Sequence, residues 1–301
     1  MKRKLIALSA ITFVFLFLTG VGIGQAQDST KGFSLKITGG YGTMAVGDFN
    51  TVVDGLNNLY NDIVPMLEGF TKAGAFKTLN YGIELEGEII IKLPGNFGLG
   101  IGTGYYLRSK GSEISIENIA LGKINISLKP EFTAVPVTLT FYYFLPSKSL
   151  VNLYLNGGVG YYFGKATFTL REDSEFAGVP PAWSEMRSEA KDQGFGFHGG
   201  VGLEFNFLVI PKVAFFIEAN GIYCKLKSWE GNVATEYSSG PGDEGSGTVW
   251  YYEDEMVGLD RSYAQFTISE DKPDWGGISN VRKLEWNLSG LSLRVGIRIK
   301  F

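Results

Sequence analysis

Charged side chains recur at every second position in several short stretches of this 301-residue chain. Between Tyr81 and Leu93, Glu84, Glu86 and Glu88 alternate with apolar or small residues. Neighbouring carboxylates raise one another's pKa unless cations lie beside them, so they form either ion-pair networks or acid–base sites. The candidate network comprises Lys36, Glu84, Glu86, Glu88, Arg108, Glu204, Glu218, Arg294 and Arg298.

The heights of these residues along their predicted strands indicate which of them meet. Glu204 and Glu218 fall at similar heights on adjacent strands, and Arg294 falls near the level of Glu218. We therefore expect Arg294 and Arg298 to pair with these two carboxylates. Two interpretations remain open: a static plug of ion pairs, or the gate of a small pore whose ion pairs exchange partners.

No catalytic or metal-binding pattern stands out beside this network. The single histidine, His198, would need a serine and an acid nearby to act in hydrolysis, and no serine alternates with it on its strand. The acidic residues 253–255, with Asp260, Asp271 and Asp274, could bind Ca²⁺ but lack EF-hand spacing. We therefore predict a non-enzymatic chain with no metal site and no cofactor.

The elements that must position the charges are strands. In the last eleven residues, apolar side chains at alternate positions from Leu291 to Phe301 are separated by Ser292, Arg294, Gly296, Arg298 and Lys300. Such period-two alternation predicts a strand with one apolar and one polar face. The same pattern predicts eight strands, at about 33–42, 81–93, 97–108, 134–143, 151–161, 195–207, 213–223 and 291–301.

The connections between these strands alternate in length. Short turns are predicted at 94–96, 145–150 and 210–212, and long loops follow the first, third, fifth and seventh strands, the last three at 109–123, 172–192 and 231–282. Apolar residues at helical spacing predict one amphipathic helix over 49–70 in the first loop, with Asp48 as its N-cap. The pattern predicts an all-β, eight-stranded antiparallel up-and-down transmembrane β-barrel with long extracellular loops.

A soluble eight-stranded barrel or sandwich is the alternative fold. Such proteins bury their apolar face inside, and ten charged residues on the opposite face could not line a dry core. In a small membrane barrel, by contrast, the same charges can pair in the lumen. This contrast favours the membrane protein.

The N-terminal segment has the features of an export signal. A basic start, Met1 to Lys4, precedes an apolar stretch and a small-residue site at Gly24 to Ala26. We predict a cleaved signal peptide at 1–26 and a barrel domain at 27–301, a retained membrane anchor being the alternative. Cleavage would remove three basic residues and no acidic ones, which lowers the net charge from −4 to −7 and disfavours nucleic acid as a partner.

The strand alternation, the segment AVPVTLTFYYFLP and the terminal Phe301 resemble the eight-stranded outer-membrane β-barrel superfamily, which includes the OmpA transmembrane domain and OmpW. The resemblance implies contact with outer-membrane lipid and lipopolysaccharide in a Gram-negative-type cell. It also implies that the barrel-assembly machinery reads a C-terminal signal at Leu293, Val295, Ile297, Ile299 and Phe301, although Ile299 stands where an aromatic residue is common. Because the chain stops with this strand, we expect no C-terminal peptidoglycan-binding domain.

Three functions remain open on the sequence alone. The first is a structural or surface-interaction role, in which the external loops bind an unidentified extracellular ligand. The second is a narrow channel for small or apolar solutes, as likeness to OmpW would imply. The third is a barrel-embedded lipid-modifying enzyme, which the surroundings of His198 disfavour.

Overall fold

The fold was established from a computed structural model, which describes residues 32–146, 150–206, 212–256, 258–259 and 261–301. The predicted signal peptide at 1–26 and most of the predicted turn at 210–212 lie outside these residues. The described part is all-β, with fifteen strands, one α-helix and one short 3₁₀ turn, and every strand pairing in it is antiparallel. Within the described ranges, no helix has the length and hydrophobicity needed to cross a membrane.

Eight strands pair in succession and close into a ring. The pairing of the last strand with the first, with Lys36 opposite Arg298 and Gly40 opposite Arg294, completes the closure. The order around the ring is β1 (Phe33–Thr43), β3 (Tyr81–Lys92), β4 (Phe97–Ser109), β6 (Gly122–Phe144), β7 (Val151–Phe176), β8 (Ala182–Asn206), β9 (Val213–Leu226) and β15 (Gly290–Lys300).

The ring is apolar outside and polar inside. Leu85, Ile101 and Leu293 are among many large apolar residues of these strands that are about half exposed. The residues between them point inward, and several of those, including Lys36 and Glu218, are charged and buried. Alternation along a strand puts successive side chains on opposite faces, so the two faces follow directly from the sequence pattern.

The remaining strands and the helix form a second structure, here called the extension, beyond one end of the ring. It contains residues 122–132, 165–176 and 182–194 of the long strands β6, β7 and β8. Its other elements are β2 (Thr71–Gly74), β5 (Ser112–Asn118), β10 (Glu230–Tyr237), β11 (Gly240–Glu255), β12 (Ser262–Ser269), β13 (Ile278–Lys283), β14 (Trp286–Asn287) and the helix α1 (Asp48–Ile63).

The extension corrects three loop predictions. The segments 109–123, 172–192 and 231–282 are mostly paired strand, and only 177–181 separates β7 from β8. These strands have a solvated face, so their charged and small residues resemble a loop in the sequence. Their pairing partners are also distant in the sequence, as Glu230 and Lys191 are. The described part of the chain therefore contains seven more strands than the eight predicted.

The helix is present but shorter than predicted. It ends at Ile63, where a 3₁₀ turn containing Pro65 follows. Asp48 is its first residue and not its N-cap, a position held by Gly47. The Asp48 carboxylate instead accepts hydrogen bonds from Arg282 and from the backbone N–H of Glu285. The apolar face of α1 is buried against β12, where Gly55 allows close approach to the backbone of Ala264.

Candidate functional site

The interior of the ring contains a connected set of ion pairs. Lys36 Nζ on β1 lies 2.6 Å from Glu218 Oε2 on β9, although β15 separates the two strands. The same carboxylate oxygen accepts hydrogen bonds from Tyr154 Oη at 2.9 Å and from Asn156 Nδ2 at 2.8 Å. Lys36 Nζ also donates to Tyr142 Oη at 3.2 Å, which carries the contact across the ring to β6.

A second group surrounds Arg294 on β15. Its Nη2 lies 2.9 Å from Glu84 Oε2 and its Nη1 lies 2.8 Å from Glu86 Oε2, both on β3. Arg108 Nη2 contacts the other oxygen of Glu84 at 2.8 Å. Arg294 lies directly opposite Glu218 in the strand register, but its Nη1 comes no closer than 3.8 Å to Glu218 Oε1. Arg294 therefore links the two groups only loosely.

A third group lies toward the end of the ring formed by the last residues of β15. Arg298 forms an ion pair with Glu204 on β8, and Lys300 Nζ lies 2.7 Å from the other oxygen of Glu204. The guanidinium carbon of Arg298 also lies 5.0 Å from the ring centroid of Phe144. Charge pairing and cation–π contact together fill this level of the interior.

Glycine makes room for these large side chains. A Cβ atom at Gly202 would lie 2.2 Å from Tyr154 Cζ, and one at Gly82 would lie 2.1 Å from Arg108 Cδ. Real atoms do not approach so closely, so any larger residue would displace the crossing side chain. The alternating glycines of the ring strands therefore belong to the packing of the interior.

A polar cavity remains between the Tyr142 level and the Tyr106 level. Glu88 Oε2 accepts a hydrogen bond from the Tyr142 hydroxyl, whereas Glu88 Oε1 has no partner among the described residues. His198 Nε2 lies 3.1 Å from Thr140 Oγ1, and in the described part of the chain its Nδ1 is likewise unpaired. A small cavity with such groups in its wall suits ordered water. Its lining also includes Glu86, Thr138, Asn156 and Asn220.

Aromatic side chains close the interior where the ring meets the extension. The Trp286 ring stacks on Phe132 at 4.7 Å and on Phe49 at 4.9 Å between centroids, and Trp229 lies 5.5 Å away. All four side chains are almost fully buried. They belong to the core of the extension, which reaches down to Tyr106 and Tyr162 inside the ring.

The nine residues proposed from the sequence are distributed over these levels. All nine line the interior, and all except Glu86 are more than nine-tenths buried. Arg298 contacts Glu204, as expected from the residue heights. The carboxylates nearest to Arg294 are instead Glu84 and Glu86. Lys36 occupies the position beside Glu218 that was expected for Arg294. Height along neighbouring strands does not reveal which long side chains reach across the ring.

Several participants were not singled out from the sequence. Tyr106, Tyr142 and Tyr154 each place a hydroxyl against a carboxylate of the network. Their positions between outward-facing apolar residues could have identified them as inward-facing. Trp229 and Trp286 had no comparable signal, because they flank the segment that was assigned to a long loop.

The predicted acidic site and the predicted terminal pattern can also be located. Residues 253–255 end β11, where Glu253 accepts a hydrogen bond from Asn280, and no cluster of three metal-ligating side chains occurs in the described ranges. Asp260 lies outside them. In β15, Leu293 and Val295 are exposed on the outer face, Ile297 and Ile299 are partly exposed, and the Phe301 ring stacks on Phe33 at 4.7 Å.

Comparisons with known proteins place this geometry in context. The outer membrane protein beta-barrel domain family matches residues 13–250, which is most of the chain. A solved structure, the crystal structure of a major outer membrane protein from Thermus thermophilus, is similar with 13% identity and a TM-score of 0.39. The alignment covers 91% of this chain and 100% of that one. No curated protein sequence matches.

Proposed function

The chain belongs to the outer membrane protein beta-barrel family, and on this premise we propose that its ring is an eight-stranded transmembrane barrel with a closed interior. The barrel holds the extension outside the cell, where the extension interacts with other molecules. The ends of β1 and β15 near Phe33 and Phe301 then face the periplasm. The apolar outer face of the ring is the surface that would contact lipid.

The observation that carries this proposal is that paired charged side chains cross the interior of the ring at successive levels, around one small polar cavity. Arg298 and Glu204 occupy one level, Lys36 and Glu218 the next, and Arg294 with Glu84 a third. Beyond them the aromatic core of the extension covers the interior. Buried, mutually paired charges of this kind are costly to separate, so they favour a plug over an aqueous pore.

Single-channel recording of the refolded mature protein tests the closed interior. Folding is checked first by heat-modifiable gel migration. We expect a folded barrel without reproducible openings in planar bilayers. Clear openings of constant size would contradict the proposal and assign the protein to transport.

Two hairpin tips at the far end of the extension are suited to interaction. Ile119 and Leu121 lie at the β5–β6 tip and Val179 at the β7–β8 tip, and all three are exposed. The tips are adjacent, since the Ala177 N–H donates to the Leu121 carbonyl at 2.9 Å. Exposed apolar side chains grouped in this way are typical of contact surfaces.

Complementation distinguishes the surface role from a role of the interior. Cells lacking the protein are complemented with wild type, with a tip variant (I119D/L121D/V179D) or with the interior variant Arg294→Ala. A surface role predicts that the interior variant restores wild-type behaviour to these cells and that the tip variant does not. The reverse result would contradict the surface role.

A narrow channel for small or apolar solutes is the second candidate, which the polar cavity around His198 favours. In that case the ion pairs of Arg294 form the gate, and Arg294→Ala raises conductance. Arg261→Ala, which removes an exposed ion pair with Asp62 in the extension, is the matched control. Equal conductance in the two variants would count against a gate at Arg294.

We further propose that the protein is not an enzyme. A histidine base needs a group that orients its second nitrogen, and His198 Nδ1 has none among the described residues. A hydrolase activity that His198→Ala abolishes would contradict this.

We also propose that the signal peptide is cleaved and that the barrel-assembly machinery recognises the C-terminal residues. Signal cleavage is tested by the mass of the mature protein. Recognition of the C-terminus is tested by the amount of Phe301→Ala found in the membrane.

A further inference from the structure

The two hairpin tips at the far end of the extension carry no charge. They comprise residues 118–122 between β5 and β6 and residues 177–181 between β7 and β8, and every residue in both segments is uncharged. Ile119 is fully exposed, and Leu121 and Val179 are more than half exposed. Large apolar side chains that protrude together into solvent mark a surface that contacts another molecule.

Two backbone N–H groups of the first tip are paired within it. Asn118 Oδ1 accepts a hydrogen bond from the N–H of Ala120 at 2.9 Å and another from the N–H of Leu121 at 3.1 Å. The Asn118 side chain is itself held in place, because its Nδ2 donates to the Glu68 carbonyl at 3.3 Å. These two backbone donors therefore do not need water.

The second tip is paired in the same way. The Ala177 N–H donates to the Leu121 carbonyl at 2.9 Å, and the Val179 N–H donates to the Phe176 carbonyl at 3.1 Å. Residues 180–181 are prolines, which have no N–H to pair. A loop in water has no need of such pairing, whereas a loop inside hydrocarbon does, because no water is present to replace a missing hydrogen bond. The backbone of the tips thus favours an apolar environment over a polar one.

The first charged residues behind the tips form a row across neighbouring strands. Glu117 is opposite Lys123, and Lys123 is opposite Glu175. With the tips in hydrocarbon, this row lies at the depth of lipid head groups, where charged side chains stay hydrated. Two carboxylates and one amine give the row a net negative charge, so it favours a zwitterionic lipid over an anionic one.

The size and position of the tips disfavour two other partners. Together the tips contain ten residues, whereas a stable protein interface uses roughly 20–30 residues on each side. Residues 122–132 of β6 separate the tips from the ring, a length of roughly 30 Å at about 3.3 Å per residue. The tips are therefore remote from the membrane that holds the ring.

We propose that the two tips insert together into a second, neutral lipid bilayer, such as the surface of another cell or of a vesicle. The side chains of Ile119, Leu121 and Val179 enter its hydrocarbon, and the charged row behind them stays among the head groups. The inference rests on the proposed surface role and names the partner of that surface.

Vesicle flotation tests the inference with the full mature protein in nanodiscs. Vesicles of pure phosphatidylcholine are the probe, and empty nanodiscs are the background control. We expect wild-type nanodiscs to float with the vesicles equally at physiological salt and at about 1 M NaCl, because salt screens charge pairing and not apolar insertion. Adding phosphatidylglycerol to the vesicles should not increase the floated fraction.

Serine substitutions supply the matched comparison. Val179→Ser should weaken vesicle binding roughly tenfold, the factor expected when one valine side chain stays in water. The triple variant Ile119→Ser/Leu121→Ser/Val179→Ser should not float, and it adds no charge that would repel the bilayer. Trp275→Ser removes a half-exposed apolar side chain between β12 and β13 and should float like the wild type. Heat-modifiable gel migration checks that each variant is folded.

A fluorophore reports insertion directly. It is attached at Ala120→Cys, an exposed position of the first tip, in a chain whose single buried cysteine is replaced by Cys224→Ala. Spin-labelled lipid is placed only in the vesicles, so quenching identifies the vesicle bilayer and not the nanodisc. We expect strong quenching at the tip and little quenching of the same fluorophore at Trp275→Cys.

Three results would overturn the inference. One is that wild-type nanodiscs do not float and the tip fluorophore is not quenched; if the tip variant also fails in complementation, the surface role stands and its partner is not a bilayer. Another is equal flotation of the triple serine variant and the wild type. The third is flotation that requires phosphatidylglycerol or that high salt abolishes, which would assign binding to charges. Complementation, and not flotation, decides the surface role itself.

Discussion

Lys36 Nζ lies 2.6 Å from Glu218 Oε2 inside the ring, although the two residues are 182 positions apart and their strands do not pair. Both side chains are nearly inaccessible, and Glu218 is only 1% exposed. The contact crosses β15, so it requires β9, β15 and β1 to lie side by side, which includes the β1–β15 pairing that closes the ring. It is therefore a property of the closed ring and not of any hairpin within it.

Removing the cation of this pair should strongly destabilise the ring. Lys36→Met leaves the Glu218 carboxylate buried without its nearest cation, which costs about 3–5 kcal/mol of unfolding free energy. Urea unfolding of the refolded protein in lipid vesicles measures the change. The double variant Lys36→Met/Glu218→Gln should recover part of the loss, and Arg261→Ala, at an exposed ion pair, should cost less than about 1 kcal/mol. Equal costs at the two sites would contradict a buried network.

A glycine inside the ring supplies the second prediction. Gly202→Ala places a methyl group 2.2 Å from Tyr154 Cζ, so the tyrosine must leave Glu218, and we expect a loss of about 1–3 kcal/mol. Gly87→Ala is the matched control, because nothing lies within 4 Å of its Cβ position. Adding Tyr154→Leu to Gly202→Ala should relieve the clash. If both alanines had the same effect on the urea midpoint, the close packing would be refuted.

The ring strands and their faces could be predicted because each is a single apolar–polar alternation. Contacts inside the ring could not be predicted as fully. Counting placed Arg294 opposite Glu218, and the register agrees, but the guanidinium extends past β1 to Glu84 and Glu86. A long side chain has several partners within reach, and strand register alone does not select among them.

The extension was missed for a different reason. Trp229 and Trp286 are distant in sequence, and their contact depends on pairings such as Glu230 with Lys191 that carry no local signal. Residues 172–192, which were assigned to a loop, contain enough charge and serine to resemble one. Their strands are stabilised by partners on both sides and by a core contributed by α1, β11 and β12, none of which a single segment reveals.

The aromatic core of the extension should behave as a folded core. Trp286→Ala removes the ring that stacks on Phe49 and Phe132, and we expect a loss of about 3–5 kcal/mol. Hydrogen exchange should locate the loss in α1 and β14, with the ring strands still protected. Trp275→Ala, at a half-exposed site, is the control and should change stability by less than about 1 kcal/mol. Uniform loss of protection across ring and extension would show that the two unfold together.

Acid should loosen the segment that joins the extension to β9. Lys227, foremost through a hydrogen bond to its carboxylate, lowers the pKa of Glu285 against the opposing effect of burial, and Lys225 adds to the lowering. A carboxyl whose folded pKa lies below its unfolded value of about 4.3 stabilises the fold fully above that value. The contribution disappears as pH falls through the lowered folded pKa.

We therefore expect amide exchange at Leu288, whose N–H donates to the Cys224 carbonyl, to accelerate below about pH 4 after correction for intrinsic exchange. Glu285→Gln cannot change its charge, so it should show faster exchange at neutral pH and lose this acid dependence. Asp271→Asn removes an acidic group from the distant loop after β12 and should retain the wild-type profile. An acid response that persists unchanged in Glu285→Gln would assign it to another carboxylate and refute the role of the Lys227 contact.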